Sequence, residues 1–253
     1  MQARVVAAFR GVRWLGEGWR LFRAAPLGWL ALVFAYWLLM TLASLVPIAG
    51  MAVASVLVPP FSVGFMAAAR AASHGAPLEL KLLFEGFRHE PRAQLALGFA
   101  YLACLTLVLA VTAALDGGAL ARWMLSGERP VEETLQSEEF LAALACAAAL
   151  YTPVMMLFWF APLLASWHAT GAAKALFFSF FGCLMNWRAF LAYGTVTAVV
   201  TLGLPFLALS TLMLAGGAGV PVMSLAFPLL LVLLPTLFGS FYASYRDVFG
   251  AAE

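Results

Sequence analysis

The side chains best able to do chemistry in this 253-residue chain are three histidines, three cysteines and a short run of glutamates. His74 and His168 each close an apolar run and could share a metal or a haem, while His89 lies between two runs. No HExxH spacing and no second carboxylate shell accompanies them, so they read as hydrogen-bonded histidines at a membrane interface. Cys104, Cys146 and Cys183 are far apart in apolar surroundings, where cysteine behaves as a small hydrophobe. Glu132, Glu133, Glu138 and Glu139 could loosely attract Ca²⁺, but the alternating ligands and glycine of a calcium loop are missing. The sequence has no GxSxG, Walker or GxGxxG context and no Ser/His/Asp set with an elbow. No catalytic residue, metal ligand or cofactor is therefore expected, and the chain reads as non-enzymatic.

The elements that carry these residues follow from composition. Hydrophobic residues make up 64% of the chain and charged ones 10%, with mean hydropathy +0.97; soluble domains carry about 25% charge. Ala24 to Ala69 and Ala189 to Tyr245 are runs of 46 and 57 residues without Asp, Glu, Lys or Arg. About 20 helical residues cross a bilayer, so each run holds two passes. The fold class expected is all-α: a polytopic membrane bundle of six transmembrane helices in a single domain over residues 1–253. Breaks at proline, glycine and charge place the spans at 27–47, 51–72, 93–115, 139–168, 188–214 and 219–245. The turn between the last two is Ala215-Gly216-Gly217-Ala218-Gly219. A formal net charge of +2, without a Lys/Arg cluster, excludes nucleic acid as a partner.

Basic residues set the orientation. The N-terminal segment, the 70–92 and 169–188 connections and the C-terminus hold 12 of the 14 Lys and Arg. Arg122 and Arg129 alone fall on the other side, in the acidic 116–139 loop. The positive-inside rule then puts both termini in the cytoplasm, with that loop outward. Five arginines before a long apolar run do not resemble a cleaved signal peptide. Trp14, Trp19, Trp29, Trp123, Trp167 and Trp187 fall near span ends, as an interfacial belt requires, whereas Trp37 and Trp159 read as helix packing.

Aligning the chain on itself at an offset of 96 pairs Gly75 with Gly171, Phe84 with Phe180, Gly86 with Gly182, Arg92 with Arg188 and Gly98 with Gly194. A looser copy opens the chain at Gly18-Trp19-Arg20. Pro60, Pro162 and Pro235 are each followed four residues later by a small residue, Gly64, Ser166 and Gly239. Three pseudo-repeats are expected, over about 4–75, 76–171 and 172–253, each an interfacial helix plus a transmembrane hairpin. All would insert the same way round, unlike inverted repeats.

In the first interfacial helix Arg10, Arg13, Glu17 and Arg20 make a polar stripe with Phe9, Trp19 and Phe22 away from it. In the second, Leu80, Leu83, Phe84 and Phe87 oppose Lys81, Glu85 and Arg88. The third, Lys174 to Asn186, is apolar enough to sit deeper. Such helices lie in the headgroup layer, so Arg10, Arg13, Arg20, Arg23, Lys81, Arg88, Arg92 and Arg188 are candidate contacts to lipid phosphates. Membrane lipids are the expected partners, with other proteins or further copies of the chain beside them.

The span centres carry no Asp, Glu, Lys or Arg, which argues against carboxylate-based ion coupling. Pro221, Pro228 and Pro235 recur every seven residues on one face of span 6, to line a cavity or to curve the helix. The stretches Glu17-Gly18-Trp19-Arg20-Leu21-Phe22-Arg23, Pro59-Pro60 through Gly64, and Leu83-Phe84-Glu85-Gly86-Phe87-Arg88 resemble a proteobacterial family of multi-pass inner-membrane proteins of unknown function. More distantly, the repeated hairpin is similar to membrane domains found alone or joined to glycerophosphodiester phosphodiesterases, without the catalytic domain. The resemblance implies an inner-membrane location and no activity. Two functions compete: an accessory, scaffold or envelope-homeostasis protein with small-residue contact faces such as Gly64/Ala68 and Ala142/Cys146, and a lipid-handling or small-solute transport protein.

Overall fold

A computed structural model describes residues 2–45, 49–203, 205–207, 210–211 and 222–250. Val46-Pro47, Pro221 and the Ala215–Gly219 turn lie outside them. The described regular structure is helical, as a chain surrounded by lipid requires, because only a helix satisfies its own backbone there. In chain order the helices are α1 (Arg10–Ala24), α2 (Pro26–Ser44), α3 (Ala49–Ser73), α4 (Glu85–Arg88) behind a 3₁₀ turn at Leu80–Phe84, α5 (Pro91–Asp116), α6 (Ala119–Ser126), α7 (Glu132–Leu135), α8 (Glu138–Phe158), α9 (Ala161–Trp167), α10 (Ala172–Met185), α11 (Trp187–Ala198) and α12 (Val222–Phe249). Six segments are long and apolar enough to cross a membrane: Pro26–Ser44, Gly50–Ser73, Pro91–Asp116, Glu138–Trp167, Trp187–Leu207 and Leu229–Phe249.

The fourth span is broken. Pro162 has no N–H to give, and its ring crowds the carbonyl four residues back, so α8 stops at Phe158 and α9 restarts at Ala161. Ser179 of α10 repairs the break. Its hydroxyl accepts from the Phe160 N–H at 2.9 Å and donates to the Met156 carbonyl at 2.8 Å. This is why α10, though apolar, is buried through Ala175, Ser179, Gly182 and Cys183.

α1 lies against α11 and α12. Its buried stripe is Gly11, Trp14, Leu15, Gly18 and Phe22, at helical spacing. Phe9 and Trp19, set apart from the polar stripe in the sequence, are exposed. Trp14 and Trp29 correct the belt assignment, since both are fully buried. The reason is a partner for each indole N–H: Asp247 Oδ2 at 2.7 Å for Trp14, and the Leu21 carbonyl at 3.1 Å for Trp29. In the second interfacial segment the 3₁₀ turn rotates the expected face, so Leu83 is buried while Leu80 and Phe84 are exposed.

Glycine permits the close approaches. A methyl at Gly18 would stand 2.7 Å from the Ser240 backbone nitrogen, and one at Gly239 would meet Gly18 Cα at 2.9 Å. One at Gly64 would meet Leu83 Cα at 2.7 Å. Thus the small residues that follow Pro60 and Pro235 each receive the backbone of an interfacial segment. Gly182 instead meets the Phe249 ring, so the third junction differs.

Between the helices the centre is filled by aromatic rings. Phe65 of α3 stacks on Phe238 of α12 at 3.8 Å, Tyr36 of α2 packs edge-on to Phe61 and Phe65, and Trp159 covers Phe241 at 4.2 Å.

Candidate functional site

α3, α9 and α12 all end on the side of the bundle where the N-terminal segment docks. Arg4 N–H donates to the Val248 carbonyl there, and Asn186 clamps the same segment, accepting from Val6 N–H at 2.8 Å and donating to the Arg4 carbonyl at 2.9 Å. Between the last turns of the three helices opens a vestibule of about 500 Å³ lined by Arg70, His74, Trp167, His168, Tyr242, Tyr245, Arg246 and Gly250.

Each lining residue is held by its neighbours. The Arg70 guanidinium lies 4.7 Å over the Trp167 ring, a cation–π arrangement that fixes a flexible side chain. Among the described residues no carboxylate lies within ion-pair distance of it. His74 Nδ1–H donates to the Arg70 carbonyl at 2.7 Å, and Nε2 has no hydrogen-bond partner among the described residues. His168 Nε2 and the Tyr245 hydroxyl share a 2.6 Å hydrogen bond. The Ser73 hydroxyl donates to the Tyr242 hydroxyl at 3.5 Å. Arg246 reaches Glu17 at 2.6 Å from the vestibule rim. Partial burial draws the His168 imidazole below its ordinary value, because charging it away from water is costly. Among the described residues the lining therefore presents two guanidinium groups, two imidazoles and two phenols, and no carboxylate. Chemically it can receive an anion. His74 and His168 share this cavity, but no group of three potential metal ligands occurs among the described residues.

None of the eight basic residues singled out in the sequence lines the vestibule. Arg10 is tied down: Asp247 takes its Nε–H and Nη2–H at 2.7 Å each, and Glu17 lies 3.2 Å away. Partial burial works against its charge, and the two carboxylates more than offset it. Arg13 stacks on Phe9 at 4.1 Å, Arg188 on Trp187 at 5.4 Å, and Lys81 pairs with Glu79 at 2.7 Å. Arg20 is mostly exposed 4.0 Å from Glu17, and Arg23, Arg88 and Arg92 are exposed. Sequence reasoning missed Arg70, Tyr242, Tyr245 and Arg246. The available signal was that alternate spans end on one side of the membrane, each with a basic or aromatic residue in its last turn.

Two apolar grooves face the lipid. One, of about 630 Å³, runs between α8 and α11 over Trp159, Phe190 and Tyr193. The other, of about 680 Å³, lies beside the Tyr101–Tyr151 hydroxyl pair.

Six apolar helices around an aromatic core, with a cation-lined vestibule at one end, define a helical integral membrane protein. A curated protein of Burkholderia thailandensis, described as "Probable inner membrane protein", is 41% identical over 259 residues, covering 100% of this chain and 96% of its own length. The chain belongs to the family of that inner-membrane protein. No family model and no solved structure matches it.

Proposed function

We propose that the chain is a non-enzymatic accessory or scaffold protein of the inner membrane, with both termini and the vestibule on the cytoplasmic side. The observation that carries this reading is the aromatic filling of the bundle: the Phe65–Phe238 stack at 3.8 Å lies in the core, Phe238 one helical turn inward of the vestibule residue Tyr242. A transporter with charged coupling sites would need ionisable groups at mid-membrane, where each costs about 2.5–3.5 kcal/mol and is kept only for use. Exposed Arg13, Arg20, Arg23, Arg88, Arg92, Arg188 and Lys81 would anchor the interfacial segments on lipid phosphates, each worth about 1 kcal/mol near an anionic surface. Exposed Ala142 and half-buried Cys146 suit contact with a partner helix.

The test is reconstitution in liposomes, with phosphate and glycerol entry and lipid scrambling followed together. The scaffold reading expects rates equal to those of empty liposomes. A protein-dependent rate would favour the second reading, lipid handling or solute transport. The cationic vestibule supports that alternative.

A further inference from the structure

The geometry points to the vestibule between α3, α9 and α12 as a binding site for a phosphate group, carried either by the free anion or by a lipid headgroup. The inference goes beyond the scaffold reading and does not depend on it. Arg70 is exposed at the end of its helix and, among the described residues, is held in place by the Trp167 ring rather than by an acid. A planar guanidinium matches two phosphate oxygens at once, which a point charge does not. Around it stand polar groups of other shapes. The His74 imidazole, the His168–Tyr245 pair, the Tyr242 hydroxyl and Arg246, which also reaches Glu17, all face the same space of about 500 Å³.

The site also lies at the right depth. Arg70 is in the last turn of its span, and His168 directly follows Trp167, the last residue of another. That level is where bilayer phosphates are densest, and it is open to water on one side. Aromatic packing inward of the lining, with Phe238 stacked on Phe65 one turn from Tyr242, favours holding a group over passing it.

The experiment uses the full chain in mild detergent. Inorganic phosphate is titrated calorimetrically, and phosphatidic acid is titrated by native mass spectrometry. Wild-type protein is expected to take up one equivalent of at least one probe saturably. R70Q and H168Q should each weaken that uptake at least tenfold, while R129Q on the opposite loop stays within twofold. Response to phosphate alone assigns the free anion, and response to phosphatidic acid alone assigns the headgroup. Uptake of neither probe, or unchanged uptake by R70Q, overturns the proposal. If R70Q does not fold, H168Q decides alone: uptake equal to that of the wild type equally overturns the proposal.

Discussion

Arg70 and Arg10 show how context divides one residue type into two roles. Arg10 is engaged by Asp247 and Glu17, whereas Arg70 rests on an indole with no acid in reach among the described residues. Removing Asp247 would leave Arg10 half-engaged and orphan the Trp14 indole N–H at 0% exposure. Hydrogen bonds to charged groups contribute about 1.5–3 kcal/mol, so D247A should lower the melting temperature in detergent by several degrees, while R13Q, whose exposed arginine lies over the Phe9 ring, should leave it unchanged. The depressed pKa of His168 gives a second expectation. In the unfolded chain this imidazole gains its proton near pH 6.5; in the folded protein it does so at lower pH. Native stability therefore declines as pH falls through that window. Phosphate uptake moves the other way, since protonation adds positive charge beside Arg70, His74, Arg246, Tyr242 and Tyr245. Uptake should rise below about pH 6.5, and a calorimetric series in H168Q should lose that part of the rise. Neither Trp14 nor the vestibule was legible in the sequence. Asp247 is 233 positions from Trp14, and Arg70, His168 and Tyr245 belong to three separate spans.

Elements were the most legible scale. Uncharged runs fix where helices cross lipid, and the first four spans read from the sequence agree with those observed to within a few residues. The fifth, read to 214, ends beyond the described residues of its helix, and the sixth, read as 219–245, is observed as Leu229–Phe249, with 219–221 outside the described residues. What escaped was the break inside the fourth span. Pro162 signals it, but where the chain breaks depends on Ser179, which arrives from the following helix to satisfy Phe160 and Met156. S179A should destabilise by about 1–3 kcal/mol, the cost of leaving buried backbone groups unpaired, read as a loss of thermal stability. Glycines 96 residues apart offer a sharper contrast. A methyl at Gly98 would stand 2.9 Å from Val56 Cα, while one at Gly194 meets nothing within 4 Å and opens onto the groove over Trp159. G98A should therefore cost about 1–3 kcal/mol through overpacking. G194A should be neutral or stabilising by up to about 1 kcal/mol, since alanine is the better helix former. Equal effects in a thermal-unfolding assay would show that the close approach of α5 to α3 is not what the glycine serves.

At the scale of the molecule, an aromatic core plugs the centre and cations gather at the end that holds both termini. The side carrying Glu128, Glu132, Glu133, Glu138 and Glu139 is acidic. That asymmetry argues for one orientation in the membrane, with the vestibule opening inward. Cysteines placed singly at His74 and Arg129, with the unsubstituted chain as background, test it most directly in intact cells treated with a membrane-impermeant maleimide. The account predicts that R129C is labelled from outside and that H74C is labelled only after the membrane is opened. Labelling of H74C from outside in intact cells would contradict it, because the vestibule would then face the wrong side or the bundle would not be sealed.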